Sequence, residues 1–166
     1  MFTGTTVCIL CIKEKKLFFA KADDWRNVLC KNGDAFSIII EHKPEIPSEL
    51  KRIEKADRWD WWFLGNLNLS RGLGDSEYKI DEKLKPDEQI ISPFPDIKIE
   101  NLIEECDFCV IACDGIWVCK SNEEVFDFFK EKFKNQPNGK ISKMITDLYN
   151  EILAPDVFTD TGIGCK

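Results

Sequence analysis

The chain predicts an α+β fold in which antiparallel strands come first and helices come last. Three observations carry this. The first third is written in short apolar, β-branched runs separated by polar turns. Between two of those runs stands Asn32-Gly33, the strongest short hairpin signal in the chain. The last third carries two apolar stripes at helical spacing. Strands followed by helices, with no internal repeat, give sheets covered by helices.

Taken in order, Thr5 to Ile12 reads as the first strand, and Glu14-Lys15 as the polar turn after it. Leu17–Ala20, Asn27–Cys30 and Ala35–Ile40 follow as strands. Asp23-Asp24-Trp25 lies in the turn between the second and third, so a strand ends there in carboxylates. Pro44 and Pro47 break the strand pattern, and Ser48–Ala56 reads as a short helix with Ser48 or a neighbour as its N-cap. Trp59, Trp61 and Trp62 form an aromatic cluster whose default place is a core or edge patch. Gly65–Asp75 reads as loop, Asp81–Gln89 as a charged mobile loop, and Asp96–Glu100 as an alternating strand. Ser121-Asn-Glu-Glu124 fits a capping box. Behind it, Val125, Phe128, Phe129 and Phe133 share one helical face. A last helix carries Ile141, Met144, Ile145, Leu148 and Ile152, and both stripes read as core-facing.

At 166 residues the chain suits one domain spanning 1–166, and 43% hydrophobic residues with twelve Phe and five Trp supply a core. The net charge of -7 argues against nucleic acid as a partner, because phosphate neutralisation needs clustered Lys and Arg. It disfavours an anionic membrane surface too, and no apolar stretch is long enough to span a bilayer. Among the eight cysteines, Cys8/Cys11 and Cys106/Cys109 have CxxC spacing, both in strand-like text. A spacing of three on a strand sends the two thiols to opposite faces, so one metal could not use both. Buried free thiols in a reducing cytoplasm are the expectation.

The chain is organised around Cys109-Val-Ile-Ala-Cys-Asp-Gly-Ile-Trp117. An apolar run ends abruptly in Asp114-Gly115, with Gly115 expected to let the backbone turn without a Cβ clash. Asp114 has two readings: a turn or capping aspartate, or a metal ligand or acid/base group at the rim of a sheet. No Ser-His-Asp arrangement is evident, since His42 stands alone beside Lys43-Pro44. Thr161–Lys166 lacks the spacing of a phosphate-binding loop. The remaining chemistry lies in carboxylates at strand ends, Asp24 and Asp114, and oxygen donors of that kind suit Mg²⁺ or Mn²⁺.

Several stretches together resemble the PP2C (PPM) family of metal-dependent protein serine/threonine phosphatases. Ile111-Ala-Cys-Asp-Gly-Ile-Trp117 with Ser121–Val125 is similar to that family's aspartate-glycine motif. Gly65–Asp75 resembles its leucine-serine-arginine-alanine-leucine-glycine-aspartate signature. Glu41-His-Lys-Pro44 with Arg52-Ile53 is similar to its aspartate-histidine-lysine-proline segment and helix. Gly4-Thr-Thr6, Ala22-Asp-Asp-Trp-Arg26, Leu153-Ala-Pro-Asp156 and Gly162-Ile-Gly-Cys165 follow the family's order.

The resemblance implies a sandwich of antiparallel β-sheets flanked by helices, covered here from about Gly4 to Cys165. The expectation is a domain incomplete at its N-terminal side, since the family's phosphate-gripping arginine and bridging aspartate-glycine have no counterpart. The implied activity is hydrolysis of phosphoserine and phosphothreonine in phosphoprotein substrates, by a water bridged between Mg²⁺ or Mn²⁺ ions. Asp114 would be a ligand of the binuclear centre, and Asp24 would match a weaker additional site. Arg71 and Asp75 would be structural. Lys166 stands where the family's last metal aspartate follows glycine-cysteine. The alternative is therefore a catalytically inactive module that binds or regulates a partner. The expected location is cytoplasmic, with the nucleus as a second possibility, and uncovered sheet edges point to self-association.

Overall fold

The computed structural model describes residues 3–22, 25–56, 69–102 and 104–153. In chain order the described strands and helices are β1 (Gly4–Thr5), β2 (Val7–Lys13), β3 (Lys16–Ala22), β4 (Arg26–Lys31), β5 (Asp34–Ser37), α1 (Pro47–Ala56), β6 (Leu73–Gly74), β7 (Asp96–Asn101), β8 (Cys106–Ala112), α2 (Asp114–Trp117), α3 (Asn122–Asn135) and α4 (Ile141–Ile152). Single 3-10 turns occupy Ser76–Tyr78 and Pro86–Glu88. The chain divides into two compact units, 1–27 with 38–103 and 28–37 with 104–166.

In the first unit, β2, β3 and β7 form an antiparallel sheet with β3 central. The register aligns Ile9, Ala20 and Ile97 in one row and Leu10, Phe19 and Lys98 in the next. Alternation then separates two faces. Leu17, Phe19 and Lys21 are buried on one. Ile9, Ile97 and Ile99 are at least half exposed on the other. The β2–β3 turn is built from Glu14 and Lys15, both in the left-handed region at φ 50° and 59°. That is the backbone of a primed two-residue hairpin, adopted here without glycine, at a cost of about 1 kcal/mol or more per residue.

A second pairing joins β1 to β6 through Gly4↔Gly74 and Thr5↔Leu73. It corrects the reading of 65–75 as plain loop. Gly74 has φ +78°, and a Cβ there would collide with the Thr3 carbonyl; one on Gly4 would collide with the Asp75 carboxylate. At Gly74 the neighbouring backbone leaves no room for a side chain, whereas at Gly4 it is the Asp75 side chain that fills the space. Helix α1 starts one residue earlier than expected. Pro47 takes its first position and Leu50 N donates to Ile46 O, so Ser48 lies inside the helix and caps nothing. The charged 81–89 loop is tightened by its 3-10 turn, and Gln89 is buried.

In the second unit, β4 is flanked by β5 and β8. The β4–β5 turn is Asn32-Gly33, at φ 54° and 86°, as its sequence demands. The fourth predicted strand ends at Ser37 instead of reaching Ile40. Helix α3 begins with the expected capping box: Ser121 Oγ accepts from Glu124 N at 3.1 Å, and Ser121 N donates to Glu124 Oε2 at 2.7 Å. Val125, Phe126 and Phe129 from α3 join Met144 and Leu148 from α4 over Val28, Cys30 and Ala112 of the sheet. Phe108 lies 5.4 Å from Phe133 and 5.8 Å from Phe126, ring centre to ring centre. The α4 stripe only partly faces this core, because Ile141 and Ile145 are exposed.

The cysteines need a correction. Those described are free thiols, and Cys8 and Cys11 fall on opposite sheet faces as their spacing required. Only Cys30 is buried, however; Cys11 and Cys113 are exposed and the others lie between. Burial, with Cys109 and Asp107 adding repulsion, pushes the Cys30 thiol up to about 12, so it stays protonated. No described helix is long and apolar enough to cross a membrane.

Candidate functional site

Strand β8 delivers Asp114. The apolar run Phe108-Cys-Val-Ile-Ala112 is strand, Cys113 remains extended at φ -80° and ψ 179°, and Asp114 opens the single-turn helix α2. Ile116 and Trp117 explain the abrupt change, because burying both requires the chain to coil back over the strand end. The Trp117 indole Nε1 donates to Ala112 O at 2.7 Å in a buried bond, which fixes the turn to the strand. Val118 N closes the turn by donating to Asp114 O at 2.8 Å.

The role expected of Gly115 is not the observed one. Its φ is not in the left-handed region, and a Cβ there would meet only Cys113 Sγ, at 3.8 Å, an ordinary contact. The turn is helical, and any L-residue can make it.

The Asp114 carboxylate is exposed and makes no hydrogen bond or ion pair among the described residues. It is therefore neither the side-chain cap of α2 nor half of an internal salt bridge. Its donor chemistry, a hard anionic oxygen, suits Mg²⁺ or Mn²⁺, which commonly take one or two protein carboxylates and fill their remaining positions with water and phosphate. Among the described residues no group of three or more His, Cys, Asp or Glu is placed to hold a metal. Asp114 thus fits as one ligand of such an ion, not as a complete site. Asp24, the second expected ligand, lies outside the described residues, as do Trp59, Trp61, Trp62 and Lys166.

Among the described residues the densest ionic cluster lies in the first unit, and its centre, Glu49, was not evident from sequence. Glu49 is 2% exposed. Arg52 Nη1 donates to Oε2 at 2.5 Å, Arg71 Nη2 to Oε1 at 2.6 Å, and Ser70 Oγ lies 2.8 Å from Oε2. Burial works against ionisation, but the hydrogen bonds from Arg71, Arg52 and Ser70 outweigh it and hold the Glu49 pKa at about 2. Arg52 also donates to the carbonyls of Gln89 and Ile90, at 3.0 and 3.1 Å. Arg71 reaches Asp96 Oδ1 at 2.6 Å, and Asp96 Oδ2 lies 3.0 Å from His42 Nε2. The structural role expected of Arg71 is what this arrangement shows.

This cluster contains a serine, a histidine and an aspartate, yet it is not a nucleophilic triad. Ser70 Oγ meets the main-chain carbonyl of His42, at 2.7 Å, and the Glu49 carboxylate, and toward either of these acceptors the hydroxyl can only donate. The His42 ring faces Asp96 instead. Burial, the largest influence, pushes the His42 pKa down against the opposing pull of Asp96, with Arg71 reinforcing it. These hydrogen bonds hold α1, residues 70–71 and the start of β7 together.

A sequence profile of protein phosphatase 2C matches residues 2–159. The chain belongs to the protein phosphatase 2C family. It is 42% identical over 170 residues to protein phosphatase 1G of Bos taurus, covering 98% of this chain and 31% of that protein. It is 39% identical over 168 residues to probable protein phosphatase 2C 3 of Paramecium tetraurelia, covering 99% and 55% respectively. The chain therefore spans from about a third to about half of these relatives. Its fold matches a serine-threonine phosphatase 2C from Toxoplasma gondii with TM-score 0.72 over 90% of this chain and 53% of that one, at 16% identity. The expected α+β fold of antiparallel sheets and flanking helices is the one observed.

Proposed function

We propose that this chain serves in metal-dependent hydrolysis of phosphoserine and phosphothreonine in phosphoproteins, with Asp114 as a metal ligand and Asp24 as a second. One observation carries the reading. Asp114 is an unpaired, exposed carboxylate among the described residues, fixed at a strand end by a buried indole hydrogen bond. Family membership gives that placement its meaning.

The chain's own contribution is positional. The β8 strand and the Trp117–Ala112 bond hold the backbone of Asp114 at the end of the strand, so the site from which its carboxylate projects is set before any ligand arrives. Exposure leaves both oxygens open to a cation and to water. A divalent cation, when bound, supplies a more acidic water and neutralises charge on the phosphoryl oxygens. Among the described residues no group of three or more His, Cys, Asp or Glu side chains is placed to hold a metal, and the second reading is an inactive binding or regulatory module.

The test is a phosphothreonine peptide assayed with Mn²⁺. The ligand count predicts no turnover above buffer from this chain alone. Turnover that disappears in Asp114→Asn would sink that expectation and establish the chain as a self-sufficient enzyme. If a longer protein carrying this segment turns over the peptide and its Asp114→Asn form does not, the phosphatase reading holds. Full activity in that variant would overturn it.

A further inference from the structure

We propose that Cys8 is a site of reversible oxidation, at which hydrogen peroxide converts the thiol to a sulfenic acid held by Asn27 beside the ammonium of Lys21. Cys8 lies on β2 in register with Lys21, on the buried face of the first-unit sheet, and the exposed Cys11 lies on the other face. Cys8 is itself partly exposed, so a small oxidant can reach it.

Asn27 is the observation that points to a ligand. Its side chain is fully buried. Cys8 Sγ donates to Asn27 Oδ1 at 2.7 Å, which places the oxygen end of the amide against the sulfur. Asn27 Nδ2 is buried too, and among the described residues it has no hydrogen-bond partner. Buried polar atoms are almost always paired, so this donor lacks an acceptor. The two ends of one planar amide are fixed relative to each other. One oxygen added to Cys8 Sγ can therefore accept from Nδ2 while its hydrogen is donated to Oδ1. The sulfenic acid completes the hydrogen bonding of the amide, and the thiol does not.

Lys21 supplies the charge. It stands directly opposite Cys8 in the β2–β3 register and is fully buried, with its Nζ donating to Trp25 O at 2.5 Å. Side chains directly opposed across antiparallel strands start about 5 Å apart at Cβ. A cation beside a thiol favours the thiolate, the form that attacks peroxide. The exposed thiols lack this pair of neighbours. Cys11 stands opposite Phe18. Cys113 precedes Asp114, whose carboxylate disfavours a second negative charge beside it.

In the reaction Cys8 Sγ attacks one oxygen of hydrogen peroxide. An S–O bond forms and the O–O bond breaks. The departing hydroxide takes up the proton lost by the thiol and leaves as water, so sulfur is oxidised and the peroxide reduced. A pair of small thiols reverses the step, restoring the Cys8 thiol, releasing the added oxygen as water and leaving as their own disulfide. This inference does not rest on the metal reading of Asp114.

The test exposes the full chain to hydrogen peroxide, stops the reaction with catalase, and unfolds the protein in dimedone and iodoacetamide. A buried sulfenic acid is then trapped as readily as an exposed one, and peptide mass spectrometry reads each cysteine. The expected result is dimedone on Cys8 accumulating faster than on Cys11 or Cys113 by roughly tenfold or more. Chain unfolded in urea before the peroxide is added should lose that excess. Asn27→Asp removes Nδ2 and keeps the shape, and Lys21→Met removes the cation and keeps the length. Each should slow Cys8 by roughly tenfold and leave Cys11 unchanged. Either variant suffices if the other fails to fold, as read from ¹⁵N amide spectra. Cys8 reacting no faster than Cys11, an excess that survives urea, or an excess unchanged in a folded variant would each overturn the proposal.

Discussion

Glu49 shows how much one residue can hold. Two arginines, a serine hydroxyl and, through Arg71, the Asp96–His42 pair converge on it. Removing its charge leaves the largely buried Arg52 guanidinium without a carboxylate and Arg71 with Asp96 alone. Glu49→Gln is predicted to destabilise the protein by about 3 kcal/mol, because breaking a buried ion pair leaves its partner uncompensated. Urea unfolding of both proteins checks this. A loss below about 1 kcal/mol, the scale of a surface pair, would contradict the buried role.

The same cluster fixes a direction of pH dependence. The Glu49 pKa is lowered from 4.5 to about 2 in the fold, so its stabilisation is present above 4.5 and is lost as pH falls towards 2. His42 also titrates lower in the fold than its ordinary 6.5. Below 6.5 the unfolded chain takes up a proton that the folded chain refuses, so stability falls there as well. Stability should therefore decline in two stages as pH is lowered. His42→Gln should remove the first stage and spare the second. A single decline, unchanged by that substitution, would contradict the assignment.

At the scale of elements, the clearest device is the strand–turn–helix from β8 into α2. Trp117→Phe keeps most of the ring's packing and removes the indole N–H, leaving the buried Ala112 carbonyl without its bond. The expected cost is about 1–2 kcal/mol in thermal or urea melts. An unchanged melt would show that packing alone holds the turn.

What the sequence made legible follows from the range of each signal. Asn32-Gly33 and Ser121–Glu124 act within four residues, so the hairpin and the capping box could be read directly. The apolar run ending at Asp114 marked a strand end for the same reason. Glu49 was hidden because a carboxylate on a charged helix reads as solvated, while two of its partners, Ser70 and Arg71, stand 21 and 22 residues away. Alternation identified β7 as a strand but could not say which face is covered, and Ile97 and Ile99 proved to be the exposed row. The Gly115 expectation failed because the turn there is an ordinary helical one.

At the scale of the whole molecule, that exposed row matters. Ile9, Ile97 and Ile99 lie on one face of a three-stranded sheet, and exposed apolar faces of this kind favour association. The chain is predicted to self-associate at micromolar concentration, and Ile97→Lys with Ile99→Lys to reduce it, as read by sedimentation velocity. A concentration-independent monomer would contradict this.

The central claim is that Asp114 is a ligand for a hard divalent cation. It is tested most directly by Mn²⁺ titration of the ¹⁵N-labelled chain and of its Asp114→Asn form, following paramagnetic broadening of amide signals. The account predicts saturable broadening centred on residues 113–116 in the native chain and its loss in the variant. Equal broadening in the two proteins, or none around Asp114 in the native one, would contradict it.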